Sequence, residues 1–451
     1  MVKTDSRVFQ VTKVTGDDES SEMVEIRERS LTLVQATSLL LVEYVVLAIL
    51  AFPWSYSILG MAGGIITTMI VAACTLYTSL ILWRYCMRHP HIRDIADVAY
   101  ELCGKSRIAW TAAFIGLALN NIFIMGLHVN AGTVAINTLG YTFCSALWGL
   151  IIGVIMYAGS LVRGFSKAEF AAAISAGTML LCFFFVVIGH GIQDHPNGFI
   201  NEMQTPTKWT VWAPEGTTFV QGISALLNII YTFTGQALIP SFVGDMKNPE
   251  EFPTALYISM SVEVLLFTIC GAVVYSTTGP LATTPGYGSL TGWFRYVAAA
   301  LTLPTIIIVG MLYSLVTSRA LFFQIFSEKS IHRRTHTVKG WGTWVGIVTA
   351  IWVLAYIIGE AIPFFSDLLS VISSLFGSWF GFIFWGSAYL KMNRGKPFRG
   401  LHAIESIIAV ILIGVGIFIL GVGTYASVQS IINSYATGSI KSPFSCSDNG
   451  F

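Results

Sequence analysis

Long apolar stretches dominate the pattern of the chain. A helix of about 20 apolar residues crosses a hydrocarbon core about 30 Å thick, and eleven stretches of roughly that length or longer occur here. They predict membrane spans at residues 38–60, 61–85, 108–138, 144–162, 165–191, 217–243, 251–277, 291–322, 341–360, 362–390 and 403–425. Several spans exceed 25 residues, so we expect tilted or interrupted helices. The pattern predicts an all-α membrane protein with about eleven transmembrane helices.

The charges are few and unevenly distributed. Asp, Glu, Lys and Arg make up 11 % of the 451 residues, whereas soluble domains contain about 25 %. If the N-terminus is cytoplasmic, 22 of the 25 lysines and arginines lie in inner segments, and only Lys208, Arg295 and Lys441 lie outside. Cytoplasmic loops carry such an excess of basic residues. Eleven spans with an outer C-terminus therefore fit the charges.

The two ends of the chain are polar. Residues 1–37 contain no apolar stretch followed by a small-residue cleavage site, so a signal peptide is not expected. We expect a cytoplasmic tail at 1–37, a membrane domain at 38–427 and a short extracytoplasmic tail at 428–451. A disulfide between Cys144 and Cys446 is conceivable, whereas the other cysteines are scattered and read best as small apolar residues.

The order of the spans indicates an internal repeat. Spans 1–5 (38–191) and 6–10 (217–390) would run in opposite orientations because each set has an odd number of helices. Inverted repeats of this kind are typical of secondary transporters, and their sites lie at interrupted helices in corresponding positions. Span 11 (403–425) would be additional.

The first span of each half carries helix breakers. Pro53 interrupts span 1, and Gly235 and Pro240 interrupt span 6. Proline removes a backbone donor and clashes with the preceding turn, and glycine weakens a helix interior. Matching breakers favour a binding site between the two helices, although two simple kinks remain an alternative.

Three segments carry a family likeness. They read EYVVLAILAFPWSYSILG (43–60), RHPHIRDIADVAYELCG (88–104) and YTFTGQALIPSFVGDMKNPEEFPTAL (231–256). The chain resembles the amino acid/auxin permease family, and within it the fungal neutral amino acid permeases. The resemblance implies a leucine-transporter-type fold of five plus five inverted helices and one more, with proton- or sodium-coupled import of amino acids. Val46 and Ala48 stand where the family usually has glycines, which puts the width of the substrate slot in question.

An amino acid substrate is a zwitterion, and unwound backbone can satisfy both of its charges. Free N–H groups at the start of a half-helix suit a carboxylate, and free carbonyls suit an ammonium group. We expect Phe52, Tyr231 and Phe233 to wall the side-chain pocket, although ordinary packing explains them equally well. The predicted substrate-binding residues are Val46, Leu47, Ala48, Ala51, Phe52, Tyr231, Thr232, Phe233, Thr234 and Gly235, and the predicted hinge residues are Pro53, Gly235 and Pro240.

Three ionisable residues lie inside predicted spans. They are Glu43 in span 1, Glu263 in span 7 and His128 in span 3. Ionisable groups in a membrane are costly and usually functional, so each is a candidate proton-coupling group. Structural hydrogen bonds remain the alternative for the carboxyls, and a core histidine is the simpler interpretation of His128. Asn120 and Asn121 are expected to join helices, although one could face the substrate.

Other functions lack their sequence signals. The chain contains no Gly-rich phosphate loop, no H-E-x-x-H or G-x-S-x-G motif and no His/Cys spacing for a metal. We therefore expect neither an enzyme nor an ATP-driven pump, with no cofactor, no metal and no nucleic-acid partner. A channel would need uninterrupted pore helices and rings of like charge.

The function expected from the sequence is import of neutral, apolar or aromatic amino acids by proton symport with alternating access. A sensor on the same fold and sodium coupling remain alternatives. We expect a plasma-membrane protein, with the vacuolar membrane as the alternative, and a monomer, although the sequence does not settle the oligomeric state.

Overall fold

The computed structural model describes residues 31–140, 143–163, 168–327, 329–362, 364–395, 399–436 and 443–446. The predicted N-terminal tail lies almost entirely outside this range. Helices make up most of the described residues. In the same residues, Leu31 and Met246 form an isolated parallel β-bridge.

Seventeen α-helices follow one another along the described chain. They are α1 (Leu33–Tyr44), α2 (Phe52–Leu59), α3 (Met61–Arg88), α4 (Ile95–Leu102), α5 (Arg107–Thr138), α6 (Ser145–Ser160), α7 (Ala168–Ile192), α8 (Phe219–Phe233), α9 (Ile239–Asp245), α10 (Phe252–Thr278), α11 (Gly292–Ile325), α12 (Ile331–Arg334), α13 (Val338–Ala361), α14 (Phe365–Ile372), α15 (Phe384–Met392), α16 (Leu401–Phe418) and α17 (Thr424–Ala436). Two π-helical segments, Ser373–Ile383 and Ile419–Gly423, join α14 to α15 and α16 to α17.

Among the described residues, nine helices are long and apolar enough to cross a membrane, and the bent pair of α1 and α2 makes a tenth span. The predicted all-α membrane fold is confirmed. Most predicted bounds lie close to the helix ends, but α1 already begins at Leu33, and the last span continues past residue 425 to Ala436. The count of eleven and the inverted repeat stay predictions, because α6 contains only 16 residues.

The first break separates α1 from α2. After Tyr44 the backbone becomes extended at Val46, with φ −120° and ψ 177°, and a 3-10 turn over Leu47–Ala51 leads into α2. The two helical stretches are bent by 43°. Pro53 lies in the first turn of α2, where a missing N–H costs nothing. The break therefore precedes the proline.

The second break separates α8 from α9 and has the same order of parts. Thr234 and Gly235 leave the helical conformation, a 3-10 turn over Gln236–Leu238 follows, and Pro240 lies in the first turn of α9. α1 and α8 also begin alike, each with a threonine–glutamine capping box that satisfies otherwise free N–H groups.

The two breaks are in direct contact. Gly235 lies against the ring of Tyr44, so closely that a Cβ atom at Gly235 would lie 2.7 Å from the phenol oxygen. Only glycine can occupy this position without a shift of the tyrosine, because real Cβ contacts are longer. The contact fixes the spacing between the interrupted parts of both helices.

Two facing glycines bring α5 and α13 together. A Cβ atom on Gly359 would lie 2.6 Å from the carbonyl oxygen of Gly126, and one on Gly126 would lie 2.8 Å from the carbonyl oxygen of Ala355. Small residues allow such close approach of membrane helices, whose association depends on packing rather than on the hydrophobic effect. α5 and α13 pack together with α7 and α11 as a scaffold beside the broken helices.

The ends of the described chain are tied down. Cys144, before α6, forms a disulfide with Cys446 in the C-terminal segment. At the other end, the N–H group of Leu31 donates to the carbonyl of Asp245 at 3.0 Å, and the N–H group of Lys247 donates to the carbonyl of Leu31 at 2.9 Å. The start of α1 is therefore held at the end of α9.

Candidate substrate site at the broken helices

A cavity of about 170 Å³ lies beside the two breaks. Residues of α1, α5, α7, the α8–α9 break, α11 and the α14 region form its wall. Six of the predicted site residues are in this wall, namely Glu43, Val46, Tyr231, Thr232, Thr234 and Gly235. The structure thus brings together residues that lie about 190 positions apart in the sequence.

The backbone at the breaks can serve a zwitterion. α1 and α8 end at the cavity, and α9 begins beside it after Leu238. The ends of helices carry partial charges, negative at the C-terminus and positive at the N-terminus. The arrangement can bind an ammonium group and a carboxylate without a charged side chain for each.

Glu43 is the acidic side chain of the described cavity wall, and the wall contains no lysine, arginine or histidine. Its Oε1 atom accepts a hydrogen bond of 2.8 Å from the hydroxyl of Tyr313. Glu43 is the residue before the last one of α1, whereas Tyr313 lies on α11. The bond therefore connects a broken helix to the scaffold.

Comparison with known proteins identifies the family. A family model described as transmembrane amino acid transporter protein matches residues 29–429. The chain belongs to this family. It is 30 % identical to the N amino acid transport system protein of Neurospora crassa, over 91 % of this chain and 87 % of the relative. It is 26 % identical to a transmembrane transporter of Fusarium pseudograminearum, over 96 % and 92 % of the two chains. The amino acid transporter AVT1B of Arabidopsis thaliana is 21 % identical over 86 % of this chain and 69 % of the relative.

Two of the three aromatic residues predicted to wall the pocket of the transporter lie elsewhere, and the third, Tyr231, lines the cavity. Phe52 and Phe233 pack with Phe267 of α10 in a buried cluster, in which the ring centroids of Phe267 lie 4.9 Å from Phe52 and 5.1 Å from Phe233. Tyr56 joins this cluster next to Phe52, with ring centroids 6.2 Å apart. The cluster closes the space on the α2 side of the breaks, whereas the cavity lies on the α1 side.

The remaining predicted residues are placed as follows. Leu47, Ala48 and Ala51 are buried in the 3-10 turn and do not line the cavity. Pro53 is buried in α2, and Pro240 lines a second cavity of about 640 Å³ between α9 and the end of α3. Their roles stay predictions.

Glu263 and His128 also lie outside the cavity wall of the transporter. Glu263 is fully buried on α10, and among the described residues neither of its carboxyl oxygens has a hydrogen-bond partner. Nδ1 of His128 is 2.7 Å from the carbonyl of Ile124 on the same helix. Nε2 of His128 is buried and, like the Glu263 carboxyl, has no hydrogen-bond partner among the described residues, so both residues stay predicted candidates.

Sequence reasoning missed several residues of the wall. Tyr313, Ser175 and Ser373 line the cavity beside Asn120 and Asn121. Nδ2 of Asn121 donates to Thr317 of α11 at 3.0 Å, and Nδ2 of Asn120 donates to Asn121 at 3.3 Å. The sequence signal was present for the asparagines, which are conspicuous in an apolar helix. Serines and tyrosines of membrane helices offer no comparable signal.

Proposed function

We propose that the protein imports neutral amino acids by proton symport, with the cavity at the two breaks as the substrate site. The observation that supports this most is the cavity wall itself. It combines the ends of α1 and α8 and the start of α9 with one carboxyl and no basic side chain among the described residues. The alpha-amino and alpha-carboxyl groups are served by the breaks. No basic side chain remains for an acidic substrate, and Glu43, which the proposed coupling protonates when the site closes, offers no counter-ion to a basic one.

The mixture of polar and apolar residues in the wall indicates which neutral side chains the cavity accepts. Asn120, Ser175 and Ser373 face the cavity together with Leu117, Val309 and other apolar residues. Such mixed walls accept apolar side chains and also offer hydrogen bonds to small polar ones. The proposed substrates are therefore neutral amino acids, while lysine, arginine, aspartate and glutamate are excluded by the cost of an unpaired buried charge.

Glu43 is the proposed coupling group. A carboxylate in a low-dielectric site is costly, and protonation removes that cost. The protonated form favours closure of α1 around the substrate, and the ionised form favours an arrangement in which water reaches Glu43. A proton that binds the two arrangements with different affinity shifts their populations. Since Glu43 belongs to α1 and its partner Tyr313 to α11, this shift moves a broken helix against the scaffold.

The proposed orientation places the N-terminus in the cytoplasm. The distribution of lysine and arginine supports it, and so does the Cys144–Cys446 disulfide, because disulfides persist on the oxidising side of a membrane. In this orientation the aromatic cluster closes the outer side of the site and the cavity lies on the inner side. We propose the plasma membrane as the location.

Uptake by the purified protein in liposomes tests the function. Labelled leucine, phenylalanine, glutamine, lysine and glutamate are offered separately, with a pH gradient or a sodium gradient imposed in different samples. We expect accumulation of the neutral amino acids, driven by the pH gradient alone. Accumulation driven only by sodium contradicts proton coupling. Binding of neutral amino acids without uptake under either gradient contradicts transport and indicates a sensor.

A further inference from the structure

A stripe of polar and small residues follows one face of the span formed by α14, its π segment and α15. Asp367, Ser370, Ser373, Gly377 and Gly381 recur at intervals of three or four residues, which places them on one side of a helix. From the first to the last they cover about 20 Å at 1.5 Å per residue. In the proposed orientation, Asp367 is at the outer end and Gly381 lies past the middle of the membrane.

This face is directed into the protein. In the most apolar stretch of this span, 18 residues long, 78 % of the residues are buried. This share is larger than in the other candidate spans of the described chain. Lipid therefore does not explain the pattern. Small and hydroxyl-bearing residues are also common where membrane helices pack closely, so the polar partners of the stripe decide between packing and a hydrated path. Ser373, Gly377 and Gly381 of the stripe lie in the longer of the two π segments. Such segments are frequent at functional sites.

The outer half of the stripe faces polar groups of α8. The hydroxyl of Ser370 lies 3.1 Å from Oδ1 of Asn228 and 3.3 Å from the carbonyl oxygen of Ser224. Nδ2 of Asn228 and Oγ of Ser224 are buried, and they have no hydrogen-bond partner among the described residues. At the outer end, Asp367 accepts a hydrogen bond of 2.8 Å from Ser430 of α17.

The inner half faces the α8–α9 break. The point that a Cβ atom of Gly377 would occupy lies 3.6 Å from Oγ of Ser373 and 3.7 Å from Oγ1 of Thr234. The equivalent point at Gly381 lies 3.6 Å from Oγ1 of Thr234 and 3.9 Å from Oε1 of Gln236. Oγ of Ser373 and Oε1 of Gln236 are buried and have no partner in the described part of the chain. The glycines thus leave room beside unsatisfied polar atoms.

Four buried polar atoms without a protein partner therefore follow one another along a single seam. Buried polar groups are almost always satisfied, and water satisfies those that protein does not. Thr234, Ser373 and Gly377 also belong to the wall of the substrate cavity. The seam thus connects the outer end of α14 to the cavity on the other side of the aromatic cluster.

We propose that this seam binds a file of water molecules and carries protons from the outer side to the substrate cavity. A serine hydroxyl donates one hydrogen bond and accepts others, so each serine can receive a proton from one water molecule and pass one to the next. Protons then reach the cavity by a route separate from that of the amino acid. The proton route rests on the proposed symport, whereas the presence of water does not.

Asp367 is the proton-binding group at the entrance of the seam. Among the described residues, Tyr435 of α17 is the titratable group that interacts with it, and the hydroxyl of Tyr435 donates to the carbonyl of Ala361 at 2.9 Å. No basic side chain of the described chain is paired with Asp367. Asp367 is only 4 % exposed, so in this proposal its carboxyl exchanges protons through the ordered water of the seam and not directly with bulk water.

Hydroxyl-radical labelling of the full chain in lipid nanodiscs tests the water file. Radicals form from water molecules and oxidise the side chains next to them. Leu227 precedes Asn228 of the seam on α8, and Leu290 is equally buried but lies against Gly189 of α7, away from the seam. We expect oxidation of Leu227 to be several times faster than that of Leu290. Equal rates overturn the proposal, whatever the coupling ion is.

Substrate-dependent proton uptake into liposomes tests the proton route. Ser370→Ala removes a hydroxyl of the seam, whereas the control Ser378→Ala removes one that donates to Ser374 on its own helix. We expect Ser370→Ala to slow proton uptake about tenfold, the effect of one lost hydrogen bond of about 1.4 kcal/mol, and to retain exchange of labelled substrate across the membrane.

The outcomes separate the two proposals. If Ser370→Ala and Ser378→Ala take up protons equally fast while the wild type is proton-coupled, the route is wrong. If the wild type takes up no protons with substrate, the proposed symport is wrong, and the labelling of Leu227 alone decides whether the seam holds water.

Discussion

At the scale of single residues, one hydrogen bond joins the carboxyl of the cavity wall to the helix scaffold. Glu43 lines the cavity and accepts from Tyr313, which lies 270 residues later in the chain. Hydrogen bonds to charged groups are stronger than neutral ones, so the bond weakens when Glu43 is protonated. The proton state of one carboxyl thereby changes how firmly α1 is attached to α11.

Replacement of Glu43 by glutamine should uncouple transport. A glutamine keeps the size and the oxygen that accepts from Tyr313 but cannot ionise. With an inward pH gradient of one unit, worth about 1.4 kcal/mol and about tenfold accumulation per proton, the wild type should concentrate leucine. Glu43→Gln should only equilibrate it, while exchange continues. Liposome uptake measures both quantities.

Glu405→Gln is the matched control for this prediction, because Glu405 also accepts from a tyrosine, Tyr389, at 2.5 Å but lies at the start of α16, away from the cavity. It should accumulate leucine like the wild type. Undiminished accumulation by Glu43→Gln would show that the coupling group is elsewhere, with Glu263 as the next candidate.

Replacement of Gly235 by alanine should impair substrate binding. The added Cβ would lie 2.7 Å from the ring of Tyr44, so the two breaks must separate. Overpacking typically costs about 1–3 kcal/mol, and we expect affinity to fall by a similar amount, about tenfold or more. Gly222→Ala on α8, the helix before this break, has open space around it and should bind normally. Scintillation-proximity binding measures the affinities, and equal values for both variants would refute the importance of this contact.

At the scale of helices, sequence patterns predicted the spans well and the breaks only approximately. Span bounds follow from apolar length, which the bilayer imposes on any sequence. Pro53 and Pro240, however, mark where the next half-helix starts, because proline is tolerated in a first turn. The unwound residues come earlier, at Val46 and Thr234. The cavity is therefore lined by Glu43 and Val46, not by Ala48 or Phe52.

The partners across helices could not be derived from the sequence. Tyr313 and Phe267 resemble any other aromatic residue of a membrane helix, and only packing between distant segments brings one to Glu43 and the other to Phe52 and Phe233. Periodicity predicts which side of a helix faces the protein. It does not predict which neighbour that side meets.

The close contact between α5 and α13 should be sensitive to a single methyl group. Gly359→Ala places a Cβ atom 2.6 Å from the carbonyl oxygen of Gly126, and the two backbones must move apart. We expect a loss of about 1–3 kcal/mol of stability, seen as a lower unfolding temperature in detergent. Gly342→Ala on the same helix has no neighbour within 4 Å and should be neutral or slightly stabilising. A Gly359→Ala variant as stable as wild type would contradict the packing described here.

At the scale of the whole molecule, the cysteines report which loops share a side of the membrane. Cys144 and Cys446 are joined and lie between α5 and α6 and after α17, whereas Cys103 is a free, exposed cysteine between α4 and α5. The spans between them place the disulfide and Cys103 on opposite sides. The proposed orientation puts the disulfide outside.

Labelling of intact cells should distinguish these sides. After treatment with an impermeant reductant, an impermeant maleimide should modify Cys144 and Cys446 but not Cys103, and permeabilised cells should add Cys103. Mass spectrometry of the tryptic peptides identifies the sites. Modification of Cys103 in intact cells, with Cys144 protected, would reverse the orientation.

The backbone bridge at Leu31 connects the start of α1 to the end of α9. Its two backbone hydrogen bonds join the chain just before α1 to Asp245 and Lys247 at the end of α9, and each of these half-helices has its other end at the cavity. A displacement of Leu31 therefore shifts the start of α1 and the end of α9 together, so that two half-helices of the site move as one unit.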